Sequence, residues 1–398
     1  MKSFRSFLLE STHSMSDVPD ILHDFMFHLS GPSDPSPLDK KAYLQEVTVL
    51  NTVNKENPLL PHQNKMLPKT SAMIDKAKEE GLGENENLHK AIHVGFRNTF
   101  ESMKTETPEE SKVKLKESHA VLHAFAQSRG LKGRPELLGE NGKTEKSTGE
   151  GVHTKGLALA PHATNGLKDF DVCPRASSEC RKNCLGLEAG GNRQYPDAAL
   201  SAKVLRTHFI AKHPEHAARI LDHEIGKHAK SAEKNGYKPG VRMNITSDFS
   251  WEHHAPDMFK RHPNVQFYDY TKMHNRVGHK SLPENYHLSL SHTGTGHAES
   301  NDNHAINALE KGNVVAMVYQ RGKKVPKPTH VEDVKTGKRY PIADGDSDDN
   351  TFDRHAKLGL TPGKHGVVSG LKLKGVKNED AGVFANKVDN DGIIRINK

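Results

Sequence analysis

Cysteine is almost missing from this chain, with three in 398 residues. An odd number this small argues against a disulfide framework, which normally uses an even set. Tryptophan occurs once, aromatic residues make up 6% of the chain, and mean hydropathy is −0.74. Such a thin apolar supply implies one well-packed domain beside a more polar, partly flexible region, in a chain long enough for two or more domains. No apolar run approaches the length of a membrane helix, so no membrane association is expected. The opening MKSFRSFLLE has a basic tip, but Phe7-Leu8-Leu9 is too short for a signal-peptide core. Scarce cysteine without such a signal places the expectation in a reducing cytoplasm. The net charge of +7 and pI near 9.0 allow an anionic partner without demanding one, and a soluble surface accounts for them as well.

The three cysteines all fall within twelve positions, Cys173-Pro-Arg-Ala-Ser-Ser-Glu-Cys180-Arg-Lys-Asn-Cys184. Structural cysteines are usually scattered through a core. Three thiols this close read as ligands to one metal or cluster, because soft thiolates suit zinc or an iron–sulfur centre. Three protein ligands leave one tetrahedral corner for a histidine, a water or a substrate. With 27 histidines available, a closed zinc site stands level with a cluster.

Residues 1–130 read as a polar, helical accessory region and residues 131–398 as an α/β domain. Helices are expected over Asp17–Leu29, Leu38–Val53, near 70–80, 86–104 and 108–129. The last opens on Thr107-Pro108-Glu109-Glu110, a cap, a proline at the first helical position and acids in the first turn. Between 130 and 155, six glycines among Lys, Glu, Ser and Thr indicate a linker or a polar hairpin. From Gly156 onward strand and helix patterns alternate. Strands are expected at Gly156–Ala160, Val241–Thr246, Val265–Tyr270, Tyr286–Ser291, Val314–Tyr319 and Gly366–Lys374. Helices are expected from Pro196, over about 214–234 and near 301–311. This alternation argues for a mainly parallel α/β sheet or barrel.

The chemistry-bearing residues stand just beyond the strands. Val241–Ile245 leads to Thr246-Ser247-Asp248 and Trp251-Glu252, Phe267–Tyr270 to Thr271-Lys272, His287–Leu290 to Ser291-His292-Thr293-Gly294-Thr295-Gly296-His297, and Val314–Tyr319 to Gln320-Arg321. Parallel α/β folds bind ligands at the carboxyl ends of their strands. Four polar strand ends beside a cysteine loop therefore fit a shared pocket. Three other motifs are discounted. His223 and His228 flank Glu224 at a spacing of five, which puts them on different helix faces and excludes a zinc-protease helix. Asp344-Gly-Asp-Ser-Asp-Asp349 lacks the glycine and the terminal glutamate of an EF-hand, leaving only a looser cation site. Thr293-Gly-Thr-Gly296 lacks a P-loop lysine.

The segment from about Gly156 to the C-terminus resembles the phage domain family called gene product eighty-eight. The resemblance rests on Gly156-Leu-Ala-Leu-Ala-Pro161, Cys173-Pro174 with Cys180 and Cys184, Val241-Arg-Met-Asn244, Thr246-Ser247-Asp248, Trp251-Glu252, Phe267-Tyr-Asp-Tyr-Thr-Lys272, Asp344-Gly-Asp346, Val367-Val-Ser-Gly-Leu371 and Lys374-Gly375. It implies a phage-encoded protein of the host cytoplasm. A more distant similarity, to radical S-adenosylmethionine enzymes, implies a partial β/α barrel. There, three cysteines after the first strand hold a [4Fe–4S] cluster whose open iron takes S-adenosylmethionine. The cysteine spacing here is wider than in those enzymes, and Asn244-Ile-Thr-Ser-Asp248 stands where they commonly carry Gly-Gly-Glu.

On that resemblance, Cys173, Cys180 and Cys184 ligate iron, and Asn244, Ser247, Asp248, Asp269 and Lys272 line the cofactor or substrate pocket. Asp248 would hold a ribose or amino group and Lys272 a carboxylate or phosphate. The competing expectation is a non-catalytic zinc module that contacts nucleic acid through Arg321, Lys323, Lys324, Lys327, Lys372, Lys374 and Lys377. A metal-dependent hydrolase using Asp344–Asp349 ranks third. Substrate and oligomeric state have no signature in the chain.

Overall fold

Thr107 starts a helix with both halves of a capping box. Its hydroxyl accepts from the Glu110 amide at 3.2 Å, and the Glu110 carboxylate accepts from the Thr107 amide at 2.8 Å. Among the described residues of the computed structural model, this is one of three helices, α1 (Pro68–Glu79), α2 (Leu88–Ser102) and α3 (Pro108–Ser128), that precede the sheet. The structure describes residues 68–84, 87–133, 135–142, 144–161, 164–168, 170–182, 184, 197–373 and 382–397. The helices expected over Asp17–Leu29 and Leu38–Val53, and the segments Gly190-Gly191 and Lys374-Gly375, lie outside the described residues.

The next elements are β1 (Leu138–Gly139), α4 (Thr144–Thr148), β2 (Val152–Leu157), α5 (Ser178–Lys182), α6 (Asp197–Lys212), α7 (Pro214–Lys234) and β3 (Lys238–Arg242). Then come α8 (Trp251–His254), α9 (Pro256–Arg261), β4 (Gln266–Thr271), β5 (Tyr286–Ser291), α10 (Asp302–Glu310) and β6 (Val314–Gln320). The chain closes with β7 (His330–Asp333), β8 (Arg339–Asp344), α11 (Arg354–Lys357), β9 (Val367–Lys372), β10 (Asn386–Lys387) and β11 (Ile393–Ile396). Among the described residues, no helix is long and apolar enough to cross a membrane.

The α/β architecture expected from the alternating pattern is present. Strands β2-β3-β4-β5-β6-β9 lie side by side, all parallel. Their carboxyl ends therefore share one edge. The sheet stays open: β2 has β1 as its outer neighbour, and β9 has β8, followed by β7 and β11. Among the described residues, no closed barrel forms. The β7–β8 hairpin is antiparallel and was not anticipated.

Two boundaries also move. The strand expected at Gly156–Ala160 begins at Val152, because its ladder to β3 runs from Val152–Lys238 to Gly156–Arg242. Its polar His153-Thr-Lys155 disguises it as linker. The strand expected to reach Thr246 ends at Arg242, since the Asn244 side chain caps a turn by accepting from the Phe249 amide at 2.9 Å.

Alternation divides the sheet into two faces. Val241, Phe267, Leu288, Leu290, Val315, Met317 and Val368 form the apolar face, with Phe259 of α9 stacked on Tyr286 at 4.7 Å. Each such Leu or Phe contributes about 1.5–3 kcal/mol by leaving water. The helices α1–α3 join the same apolar cluster through Met73, Ile92, Phe96, Phe100, Leu122 and Phe125. At Gly95 of α2, an added Cβ would sit 2.6 Å from Pro214, so α2 and α7 approach closely only because that side chain is absent.

The opposite face is polar and is covered by the segment after β8. Phe352 packs edge-on against Tyr268 at 5.2 Å, Arg242 donates to Asp349 at 2.7 Å, and Arg354 donates to Ser369 at 3.1 Å.

Candidate functional site

Beyond β2, the chain is tied down before it reaches the first cysteine. Asn165 accepts from the Leu167 amide and donates to the Phe170 carbonyl, and His208 Nε2 meets the Asn165 carbonyl at 2.7 Å. Asp171 then accepts from the Cys173 amide at 2.7 Å and pairs with Arg181 at 3.1 Å. Burial pushes the Asp171 carboxyl above the usual carboxylate range, against the pull of Arg181. The Asp171–Arg181 pair clamps the loop on either side of Cys173 and Cys180. The Ser177 hydroxyl accepts from the Cys180 amide at 3.1 Å, starting α5.

The loop rests on the ends of β3 and β5. Cys173 Sγ lies 3.7 Å from the Thr246 carbonyl, the Asp248 amide donates to Val172 at 2.7 Å, and Ser178 donates through its amide to Glu299 at 2.9 Å.

Of the five residues singled out from the sequence, Asn244, Ser247 and Asp269 form one hydrogen-bonded group, and Asp248, tied to the loop through Val172, pairs with Lys272. Asn244 donates its amide N–H to Asp269 at 2.9 Å, while its side chain holds Ser247 and Phe249. Burial pushes Asp269 up to about 7, although Arg242, Asn244 and Tyr286 favour its charged form. Asp248 is likewise raised by burial, and it accepts from the Lys272 amide and from Arg276, each at 2.7 Å. Arg276 extends its other edge to Glu252 at 2.7 and 2.8 Å. The carboxylates of Asp248 and Asp269 are thus committed to protein partners.

Lys272 is different. Its buried ammonium donates to the Ser291 hydroxyl at 2.9 Å and the His292 carbonyl at 2.9 Å. Burial lowers its pKa, while the nearby Cys180 and Asp248 oppose that shift. A second lysine stands beside the loop. Burial brings Lys203 down to about 8 and Cys184 counteracts it. Cys180 and Cys184 thus each favour the charged form of a buried lysine.

All three cysteines are reduced and half-buried. As soft thiolates they suit a cluster or a zinc ion alike.

Several of the other sequence candidates make structural contacts. In the acidic turn, Asp344 accepts from the Asp346 amide, Asp346 from the Lys372 amide, Asp348 from Arg354 and Asp349 from Arg242. Glu224 accepts from the Leu137 and Leu138 amides, fastening β1 to α7, and burial pushes it up to about 7. Of the basic group, Arg321 donates to the Val325 carbonyl and Lys327 pairs with Asp344 at 3.5 Å. Lys374 and Lys377 lie outside the described residues.

Residues 132–387, well over half of the chain, match the family model described as Gene product 88. The chain belongs to the Gene product 88 family. No curated protein and no solved structure matches it. The Gene product 88 segment takes in the cysteine loop, the parallel strands and the acidic turn, and leaves α1–α3 outside.

Within that segment, sequence reasoning passed over the pairing of His292 with Asp302. His292 Nε2 meets Asp302 at 2.6 Å, and Asn386 of β10 reaches Nδ1 at 3.1 Å. Burial tends to raise Asp302, but the His292 hydrogen bond holds it down to about 2. The signal was present in Ser291-His-Thr-Gly-Thr-Gly-His297, at the end of a strand, yet the acidic partner comes from the helix after it.

Proposed function

We propose that this Gene product 88 protein is an iron–sulfur protein of radical S-adenosylmethionine type, acting on a substrate still to be found. The observation that carries the reading is the position of Cys173, Cys180 and Cys184. They stand on the loop after the first of six parallel strands that neighbour one another in chain order, as in the wall of a partial β/α barrel. The cysteines would hold a [4Fe–4S] cluster, with Lys203 and Lys272 beside the thiolates. When bound, such a cluster supplies a single electron to the sulfonium of S-adenosylmethionine.

The chain's own residues then have defined tasks. Asn244, Ser247, Asp248 and Asp269 shape the rim against which the cofactor rests. Lys272 keeps a positive charge between that rim and Cys180, where a carboxylate or phosphate of a ligand would be attracted.

The test is anaerobic purification after iron and sulfide reconstitution, followed by metal analysis, a visible spectrum and incubation with S-adenosylmethionine and a reductant. A brown, oxygen-sensitive protein with about four irons per chain that releases 5′-deoxyadenosine is the expected result. The triple variant C173S/C180S/C184S should stay colourless. A colourless, air-stable wild type carrying one thiolate-bound zinc would overturn the reading and direct attention to nucleic-acid binding.

A further inference from the structure

We propose that His93, His253 and His254 form a second site, separate from the cysteine loop, for one divalent transition-metal ion of the zinc class. One nitrogen from each ring lies within 4.8 Å of one from each of the other two. Nitrogens on a tetrahedral zinc, at about 2.0–2.1 Å from the ion, are about 3.3 Å apart. Small rotations of three imidazoles bridge that gap. The rings are already grouped: His93 stacks on His253 at 4.7 Å and meets His254 edge-on at 5.6 Å.

A second, independent observation points to a ligand. Nδ1 of His93 and Nδ1 of His254 are both buried without a hydrogen-bond partner. A buried polar atom left in this state carries its full desolvation penalty, and a bound cation would remove that penalty at both. His254 is only 6% exposed and is fixed from behind by Phe249, stacked on it at 4.3 Å. Burial keeps the rings neutral, holding His93 down to about 3 and His253 to about 4. Neutral imidazole is the form that ligates metals.

Three nitrogens with no carboxylate or thiolate suit zinc, cobalt, nickel or copper rather than magnesium or calcium. The fourth position is left for water. Arg97, one turn beyond His93, is the cation of α2 whose charge reaches His93; it is exposed and able to turn into solvent. The placement gives the ion a purpose. His93 belongs to α2, outside the Gene product 88 segment, while His253 and His254 belong to α8 inside it. One ion would fasten the accessory helices to the family domain.

Cobalt(II) titration of the full-length, chelator-stripped chain carrying C173S, C180S and C184S tests this without any contribution from the cysteine loop. One equivalent bound with visible ligand-field bands and no sulfur charge-transfer band is expected. Zinc should displace it and raise the melting temperature. Adding His93→Gln or His253→Gln should weaken binding by more than the roughly 10–100-fold that accompanies loss of an outer partner. If the cysteine-free chain does not fold, the native chain is titrated and compared with its His93→Gln variant. Absence of ligand-field bands and of a zinc-induced thermal shift would overturn the site, as would cobalt binding that His93→Gln leaves unchanged. A protein that binds no iron would defeat the cluster reading and leave this one standing.

Discussion

Arg276 Nη1 donates to Asp248 Oδ1 at 2.7 Å, with the guanidinium wholly buried and Glu252 on its other edge. One planar cation thereby hydrogen-bonds two carboxylates that the core would otherwise reject. Arg276→Ala strands both, and breaking a buried pair in this way destabilises by about 3–5 kcal/mol. Arg276→Lys should recover only part, because a point charge cannot serve two carboxylates as a fork does. Urea unfolding measures both variants. A loss in Arg276→Ala no larger than the ~1 kcal/mol of a surface ion pair would show that Asp248 and Glu252 are not held by Arg276.

Two glycines in one loop should behave oppositely. Gly294 has φ +98°, and an added Cβ would meet the Val383 carbonyl oxygen at 1.8 Å. Gly296 also has a positive φ, +79°, but opens onto free space. Gly296→Ala should cost about 1–2 kcal/mol for the left-handed backbone alone. Gly294→Ala should cost clearly more and expose residues near 383 to limited proteolysis. Equal melting temperatures would contradict the close approach.

Acid should weaken the fold through its buried histidines, against the opposite pull of Asp269 and Glu224, whose carboxyls burial has raised to about 7. Burial holds His208 down to about 4, against 6.5 when free, with its Nε2 facing the Asn165 carbonyl. The folded state thus binds the proton less readily than the unfolded chain. Its stabilising contribution is full above pH 6.5 and disappears as pH falls towards 4, at most ~3 kcal/mol for this one group. His287, also held at about 4 by burial, acts in the same direction. Unfolding free energy measured between pH 7 and 4 should decline, and His208→Gln should flatten the slope. An unchanged slope in that variant would assign the effect elsewhere.

Glu224 holds β1 through the Leu137 and Leu138 amides. Glu224→Ala leaves those donors unpaired, a loss of about 1–3 kcal/mol, and hydrogen exchange at both amides should accelerate. Protection retained at both would mean that the β1–β2 pairing suffices by itself.

The central strands were legible because Phe267, Leu288, Leu290, Val315 and Met317 are apolar residues at strand spacing, and burial on one face leaves them no other arrangement. The β7–β8 hairpin was not. His-Val-Glu-Asp and Arg-Tyr-Pro-Ile-Ala-Asp are short and half polar, and their pairing is fixed by neighbours distant in sequence. The cysteine loop announced itself by clustering. The strand-end residues were found by position alone, and position could not reveal that Asn244 spends its side chain on Ser247 and Phe249 or that Asp248 faces Arg276. His93 is far from His253 and His254 along the chain, so nothing local signalled that helix packing stacks their rings.

The strand order also governs the sequence of assembly on the ribosome. β9 fits between β6 and β8, and β11 pairs with β7, yet both follow β8 along the chain. Until they arrive, β6 and β8 each have a bare edge, the kind of surface that recruits other chains. Nascent protein stalled before β9 has emerged should therefore aggregate, and chaperone demand should fall once β9 and β11 have paired.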